Sequence, residues 1–320
     1  MSIASQRAHP EHVALTVPIL RTVYLGTSEF AGDVLRKLAA SGHRPLLVVT
    51  PPDRPKGRGR RMQSPPAAEV AAELGIELLQ SAAVNDEDSL ARIRAVRPEA
   101  VVVCAFGQLI REPLLSEWPL LNIHPSLLPH WRGAAPIERA IMAGEQRTGV
   151  CVMRLTEGLD AGPVALREEV SIGSEDDFGT LSAKLASLGG DLLVRALDLL
   201  AESRLDFVDQ DEEAATYAEK ISAEERRLDP ARPAAELART VRALTPHVGA
   251  YLEMSDGERL GVRRARAVDV SVKTGAVKSE WGALLLGCCR GALRLELVQP
   301  PGGKPMAAAA YLRGHSLPKL

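Results

Sequence analysis

The sequence predicts an α/β chain in two parts, a Rossmann-like open sheet followed by a small OB-like β-barrel. Three observations predict it. Apolar, β-branched runs such as Pro45 to Thr50 and Ala100 to Phe106 alternate with helical patterns, as strands buried on both faces of a parallel sheet do. A polar, acidic stretch then breaks the alternation between Ser203 and Glu225. Beyond it, short alternating segments separated by Asp256-Gly257 and Gly302-Gly303 have the spacing of a small antiparallel barrel. The expected division is a disordered extension at 1–18, a catalytic domain at 19–204, a linker at 205–225 and a barrel at 226–320.

Each element has a local reason. Thr22 to Leu25 is the first strand, Ser28 is placed to cap a helix through about Ala40, and Pro45 to Thr50 completes a parallel β-α-β unit. Gly26 precedes that helix, but the three-glycine nucleotide fingerprint is missing, so the turn reads as architecture. Ala67 to Leu74, Glu87 to Val96 and Ala135 to Ala143 read as helices, the last with Pro136 in its first turn. Thr180 to Glu202 is an amphipathic helix with a weak point at Gly189-Gly190. Ala234 to Leu244 is a helix, and Ala250 to Met254, Arg259 to Val268, Trp281 to Cys288 and Ala292 to Val298 are barrel strands.

Composition narrows the class. With 320 residues, 46% hydrophobic and 25% charged, the chain matches an ordinary soluble protein with room for two domains. No apolar run reaches the roughly 18 residues of a membrane span, so no membrane partner is expected. Residues 1–18 lack the pattern of a signal peptide. Cys104 and Cys151 lie in strand patterns, Cys288 and Cys289 are adjacent, and no C-x-x-C spacing occurs, which points to a reduced, cytoplasmic protein with no metal site. A monomer is the expected state.

The chemistry concentrates between Leu121 and Gly133. Side chains alternate along a strand, so Asn122 and His124 share one face while Leu121 and Ile123 face the core, and Pro125 ends the ladder. A second strand pattern, Gly149 to Leu155, leads into an acidic turn in which Gly158 and Gly162 flank Asp160. Loops beyond strand carboxyl ends of an open sheet meet at one crevice, where Asn122, His124 and Asp160 are expected to converge. Alone, a strand-end histidine reads as a core residue and a turn aspartate as a turn former. Together they are a neutral donor, an imidazole and a carboxylate without a recognisable hydroxyl or thiol nucleophile, a set suited to direct acyl transfer to an amine. Asn122 and protonated His124 would stabilise the oxyanion. Asp160 would hold His124 charged and accept the amine proton, directly or through a water.

These residues carry a resemblance. Asn122-Ile123-His124, the run from Ser126 to Ile137 (SLLPHWRGAAPI) and Gly158 to Gly162 (GLDAG) resemble the formyltransferase family that uses formyl-tetrahydrofolate, over roughly Val23 to Leu320. The resemblance implies that Asn122, His124 and Asp160 are catalytic. It implies that Ser126, Leu127, Leu128 and Pro129 contact folate, that Phe106, Gln108, Leu109 and Ile110 line the pterin, and that 10-formyltetrahydrofolate is the donor. His130 stands where a basic residue is common, and either Gly or Pro suits the position of Pro125.

The loop from Pro51 to Pro66 (PPDRPKGRGRRMQSPP) separates the possible acceptors. It carries Arg54, Lys56, Arg58, Arg60 and Arg61 against Asp53 alone, and reads either as a solvated loop or as a phosphate-binding one. The chain is most similar to family members that formylate initiator methionyl-tRNA, in which a similar insertion contacts the acceptor arm; Arg58 falls on its central arginine. Charge agrees with a polyanionic partner. Residues 226–320 hold 16 Lys plus Arg and 8 Asp plus Glu, a formal +8, whereas residues 1–225 hold 23 and 33, a formal −10. The alternatives are formylation of a small amine, such as a glycinamide nucleotide or a nucleotide-linked amino sugar, and non-catalytic RNA binding on an enzyme scaffold.

Overall fold

The computed structural model describes residues 18–56, 59–280 and 282–320. Nearly all of the expected extension, together with Arg58 and Trp281, lies outside the described residues. The first part runs β1 (Thr22–Gly26), α1 (Glu29–Ala39), β2 (Leu47–Thr50), β3 (Arg54–Lys56), β4 (Arg61–Gln63), α2 (Pro66–Leu74), β5 (Glu77–Gln80), α3 (Glu87–Ala95), β6 (Ala100–Cys104), α4 (Leu114–Glu117), β7 (Leu120–His124), β8 (Arg132–Gly133), α5 (Pro136–Ala143), β9 (Arg147–Arg154), β10 (Val164–Ser171) and α6 (Phe178–Ala201). The Ser28 hydroxyl caps α1 by accepting from the Ala31 N–H. Helices α2 and α5 begin on proline and end on left-handed Gly75 and Gly144.

The main sheet has the order β10-β9-β7-β6-β1-β2-β5. From β7 through β6, β1 and β2 to β5 it is parallel, and its chain order reverses between β1 and β6. That reversal is the switch point at which open α/β sheets gather ligands. The Thr27 hydroxyl donates to the Phe106 carbonyl and ties together the loops leaving the two strands. Along β7 the side chains sort by face. Leu121 and Ile123 pack with α1 and α6, Leu120 packs on the α3 side, and Asn122 and His124 follow Leu120.

The direction of β9 differs from the expected one. It runs antiparallel to β7, with Leu121 opposite Arg154 and His124 opposite Cys151, so its exit lies at the far end of the sheet from the other loops. Asp160 reaches the crevice because the 155–163 loop folds back over the face of β7. The expected weak point in α6 is also absent. The helix is continuous, and a Cβ on Gly189 would sit 3.0 Å from Ile123 Cγ2 and one on Gly190 2.6 Å from Lys37 Cβ. These glycines let α6 lie close against β7 and α1.

The acidic stretch after α6 is bound to the body of the first part. Val208 exchanges backbone hydrogen bonds with Val164, and β11 (Tyr217–Ala218) pairs in parallel with β8. Then follow α7 (Ala234–Leu244), β12 (Ala250–Glu253), β13 (Arg259–Val268), β14 (Val277–Glu280), β15 (Ala283–Gly287), β16 (Ala292–Gln299), β17 (Met306–Ala307) and α8 (Ala308–Gly314). These strands form an antiparallel sheet in the order β12-β13-β16-β15-β14, with β17 on β16. It packs on Leu237, Val241 and Leu244 of α7. Its edge strands β12 and β14 do not pair among the described residues, so the expected barrel is an open one. Among the described residues no helix is long and apolar enough to cross a membrane.

The packing of β9 is tight at Gly149, where a Cβ would fall 2.3 Å from the Glu168 carbonyl oxygen and 2.4 Å from Leu127 Cδ2. Gly149→Ala is expected to lower the unfolding free energy by about 1–3 kcal/mol, measured by denaturant titration.

Candidate active site

The convergence of β6, β7 and the folded-back loop leaves a cleft of about 480 Å³. Its walls are the β6 exit from Ala105 to Ile110, the end of β7, Gly133 and Ala134, and the loop from Leu155 to Asp160. Phe106, Gln108, Leu109 and Ile110 all line it. Phe106 and Ile110 are buried, whereas Leu109 and Leu159 stand exposed at the mouth. Gln108 contributes only wall, because its amide donates to the Ser81 carbonyl and accepts from the Val84 N–H.

Asn122, His124 and Asp160 meet in this cleft. His124 is 4% exposed; its Nε2–H donates to the Trp131 carbonyl at 2.9 Å, which leaves Nδ1 facing Asp160 Oδ2 at 3.5 Å. That separation is long for a hydrogen bond, so Nδ1 remains open to a second partner. Asp160 Oδ2 accepts from the Gly133 N–H at 2.8 Å, while Oδ1 has no hydrogen bond among the described residues. Asn122 is 6% exposed and its amide likewise has no hydrogen-bond partner among the described residues. A buried amide left open towards a cleft is satisfied by whatever occupies the cleft. The thiol of Cys151, opposite His124 in the sheet, is fully buried, and burial pushes its pKa up to about 11.

Sequence reasoning missed the backbone that completes the site. The Trp131 carbonyl and the Gly133 N–H fix His124 and Asp160, and both come from the turn around Arg132. Three non-glycine residues around the cleft have positive φ, a costly region: Ala105 (44°) at the β6 exit, Trp131 (60°) in this turn and Asp160 (47°) in the acidic loop. Such strain persists where the surroundings over-determine it and clusters at functional sites.

Four expected folate contacts are not brought to the cleft. Ser126 is fully buried with its hydroxyl donating to the His130 carbonyl, and Leu128 packs with Cys151, Met153 and Val164. Leu127 turns towards Gly149, and Pro129 passes its carbonyl to the Thr216 N–H. The apolar loop finds its packing partner inside the protein and shapes the turn behind His124.

The basic loop is a hairpin, with Arg54 opposite Gln63 and Lys56 opposite Arg61. Arg54, Arg60 and Arg61 are exposed, and none forms an ion pair among the described residues. Its base borders Thr27, which anchors the cleft wall through Phe106. An arginine-rich hollow of about 660 Å³ lies between the start of α6 and the C-terminal sheet, where Arg239, Arg242, Arg263, Arg264 and Arg266 stand beside Glu175, Asp177 and Glu296, the last ion-paired to both Arg264 and Arg266. Burial, with Arg226 nearby, pushes the Arg263 guanidinium down.

The fold recurs in solved structures. HypX from Aquifex aeolicus, in a structure described as a complex with tetrahydrofolic acid, matches with a TM-score of 0.65 at 17% identity over 92% of this chain and 47% of that one. The chain thus spans about half the length of HypX. The N-formyltransferase from Helicobacter canadensis matches with a TM-score of 0.63 at 12% identity, over 86% of this chain and 98% of that one. These likenesses define the fold. The chain belongs to the formyl transferase family: residues 20–197 match the model described as Formyl transferase and residues 220–316 the one described as Formyl transferase, C-terminal domain. Curated relatives named methionyl-tRNA formyltransferase include those of Methylococcus capsulatus, 42% identical over 93% of this chain and 98% of that protein, and Methylobacillus flagellatus, 42% identical over 93% and 97%.

The open Asn122 amide separates catalysis from stability. Asn122→Ala is expected to cut turnover about a hundredfold, as removal of other oxyanion donors does, with unfolding free energy changed by less than about 1 kcal/mol. Steady-state kinetics beside thermal denaturation checks both.

Proposed function

We propose that this enzyme transfers the formyl group of 10-formyltetrahydrofolate to the α-amino group of methionine on initiator methionyl-tRNA. The observation that carries the reading is the identity of about 40% over nearly the whole chain to relatives of that name. The cleft suits a folate. Phe106 and Ile110 give it apolar walls, the Ala105–Ile110 backbone offers a peptide edge, and Asn122 supplies an unpartnered polar group. We place the enzyme in the cytoplasm, acting as a monomer and without a metal.

The roles follow from the geometry. The bound donor supplies a formyl carbonyl that the methionine amine attacks. Asn122 Nδ2–H donates to the oxygen as charge develops on it, in a site where burial strengthens the interaction. His124, with Nε2–H fixed on the Trp131 carbonyl, offers Nδ1–H to the same oxygen or to Asp160. The free Oδ1 of Asp160 accepts the proton leaving the amine, directly or through one water. Gly133 N–H keeps that carboxylate in place throughout.

The hairpin is proposed to hold the acceptor arm through Arg54, Lys56, Arg58, Arg60 and Arg61. Arg61→Ala is expected to raise KM for the charged tRNA and to reduce the slope of log affinity against log salt by about 1, with KM for the folate unchanged. The primary test supplies formyl-tetrahydrofolate with methionine-charged initiator tRNA, uncharged tRNA and free methionine. Transfer to the charged tRNA alone is expected; transfer to a small amine instead would overturn the acceptor assignment.

A further inference from the structure

We propose that Gln210, in the stretch that reads as a linker, is the positioning residue for Asp160. The inference rests on the catalytic role assigned to Asp160 above. Gln210 Nε2 donates to the carbonyls of Asp160 and Gly162, each at 2.7 Å, so its two amide hydrogens hold two points of one turn. Among the described residues no other side chain hydrogen-bonds these two carbonyls.

The orientation of the amide is forced. Its Oε1 accepts from Arg132 Nε at 3.1 Å and Nη2 at 2.9 Å. A guanidinium has no acceptor and a carbonyl no donor, so a flipped amide would lose its contacts on both sides. Arg132 is 1% exposed and is held from its other edge by Glu212, through Nη1 at 2.8 Å and Nη2 at 2.7 Å. The result is a rigid line from Glu212 through Arg132 and Gln210 to the backbone of Asp160.

That backbone needs holding. Asp160 has φ +47°, and Gly162 packs so closely that a Cβ there would lie 2.0 Å from the Arg154 carbonyl oxygen. The turn must keep this shape for Oδ2 to meet the Gly133 N–H and face His124. With Gln210 removed, two carbonyls lose their donor and the carboxylate gains freedom at the point where its position matters.

The test is a double-mutant cycle on the full chain, reading kcat and KM for Gln210→Ala, Asp160→Asn and the pair. Gln210→Ala is expected to lower kcat about tenfold or more, with both KM values within about threefold of wild type, and to add less than about twofold in the Asp160→Asn background. Gln210→Glu, of the same size but facing the two carbonyls with oxygens alone, should behave as Gln210→Ala does and serves if the alanine variant folds poorly. A wild-type kcat in both Gln210 variants while Asp160→Asn is slow would overturn the inference and leave the site assignment standing. Effects that multiply independently would overturn it as well, because the contact would then act on structure at large. Wild-type turnover in Asp160→Asn would instead remove the catalytic assignment itself.

Discussion

A guanidinium buried to 1% exposure is the constraint from which the catalytic end of this protein is built. Taking such a charge out of water costs several kcal/mol unless its donors are paired, so the fold must bring acceptors to Arg132. It brings Glu212 and Gln210, both from the segment that crosses the catalytic face after α6. The same turn of chain presents the Trp131 carbonyl to His124 and the Gly133 N–H to Asp160. One buried cation therefore fixes the two peptide groups that orient the imidazole and the carboxylate, and the segment that satisfies it reaches the acidic turn as well.

The sheet supplies the other half of the arrangement. Period-two alternation along β7 sends Leu121 and Ile123 into the core and leaves Asn122 and His124 on the open face. Gly189 lets α6 lie tightly under that strand from behind, while Gly190 does the same for α6 against α1. Because β9 reverses direction, the acidic turn arrives over the face of the sheet and closes one side of the cleft. Side chains from two strand systems thus meet although their loops leave the sheet at opposite ends.

Much of this was legible in the residues. The alternation of polar and apolar side chains in Leu121 to His124, the Ser28 cap and Pro136 at the start of α5 are all local signals, and local signals survive into the structure. What could not be read depends on contacts distant in sequence. An apolar strand looks the same in either direction, so the reversal of β9 left no mark. Gly189-Gly190 reads as helix weakness until the neighbouring Ile123 and Lys37 are known. The polar stretch after α6 reads as a tether because its partner, Arg132, lies 78 residues away from Gln210. Nor does anything local say that Leu128 packs on Cys151 and Met153.

The pairing of β11 with β8 also bears on how such a protein can be inherited or rebuilt. Judged by its main sheet, the first domain ends with α6. Judged by what completes the crevice, it extends to Ala218, since Gln210, Glu212, Thr216 and Ala218 each bond the turn that carries Arg132 or the loop that carries Asp160. A gene rearrangement that exchanged the C-terminal domain would preserve a working crevice only if the breakpoint fell after Ala218. The exchangeable module is therefore longer than the architectural one, and the segment between the domains belongs physically to the first.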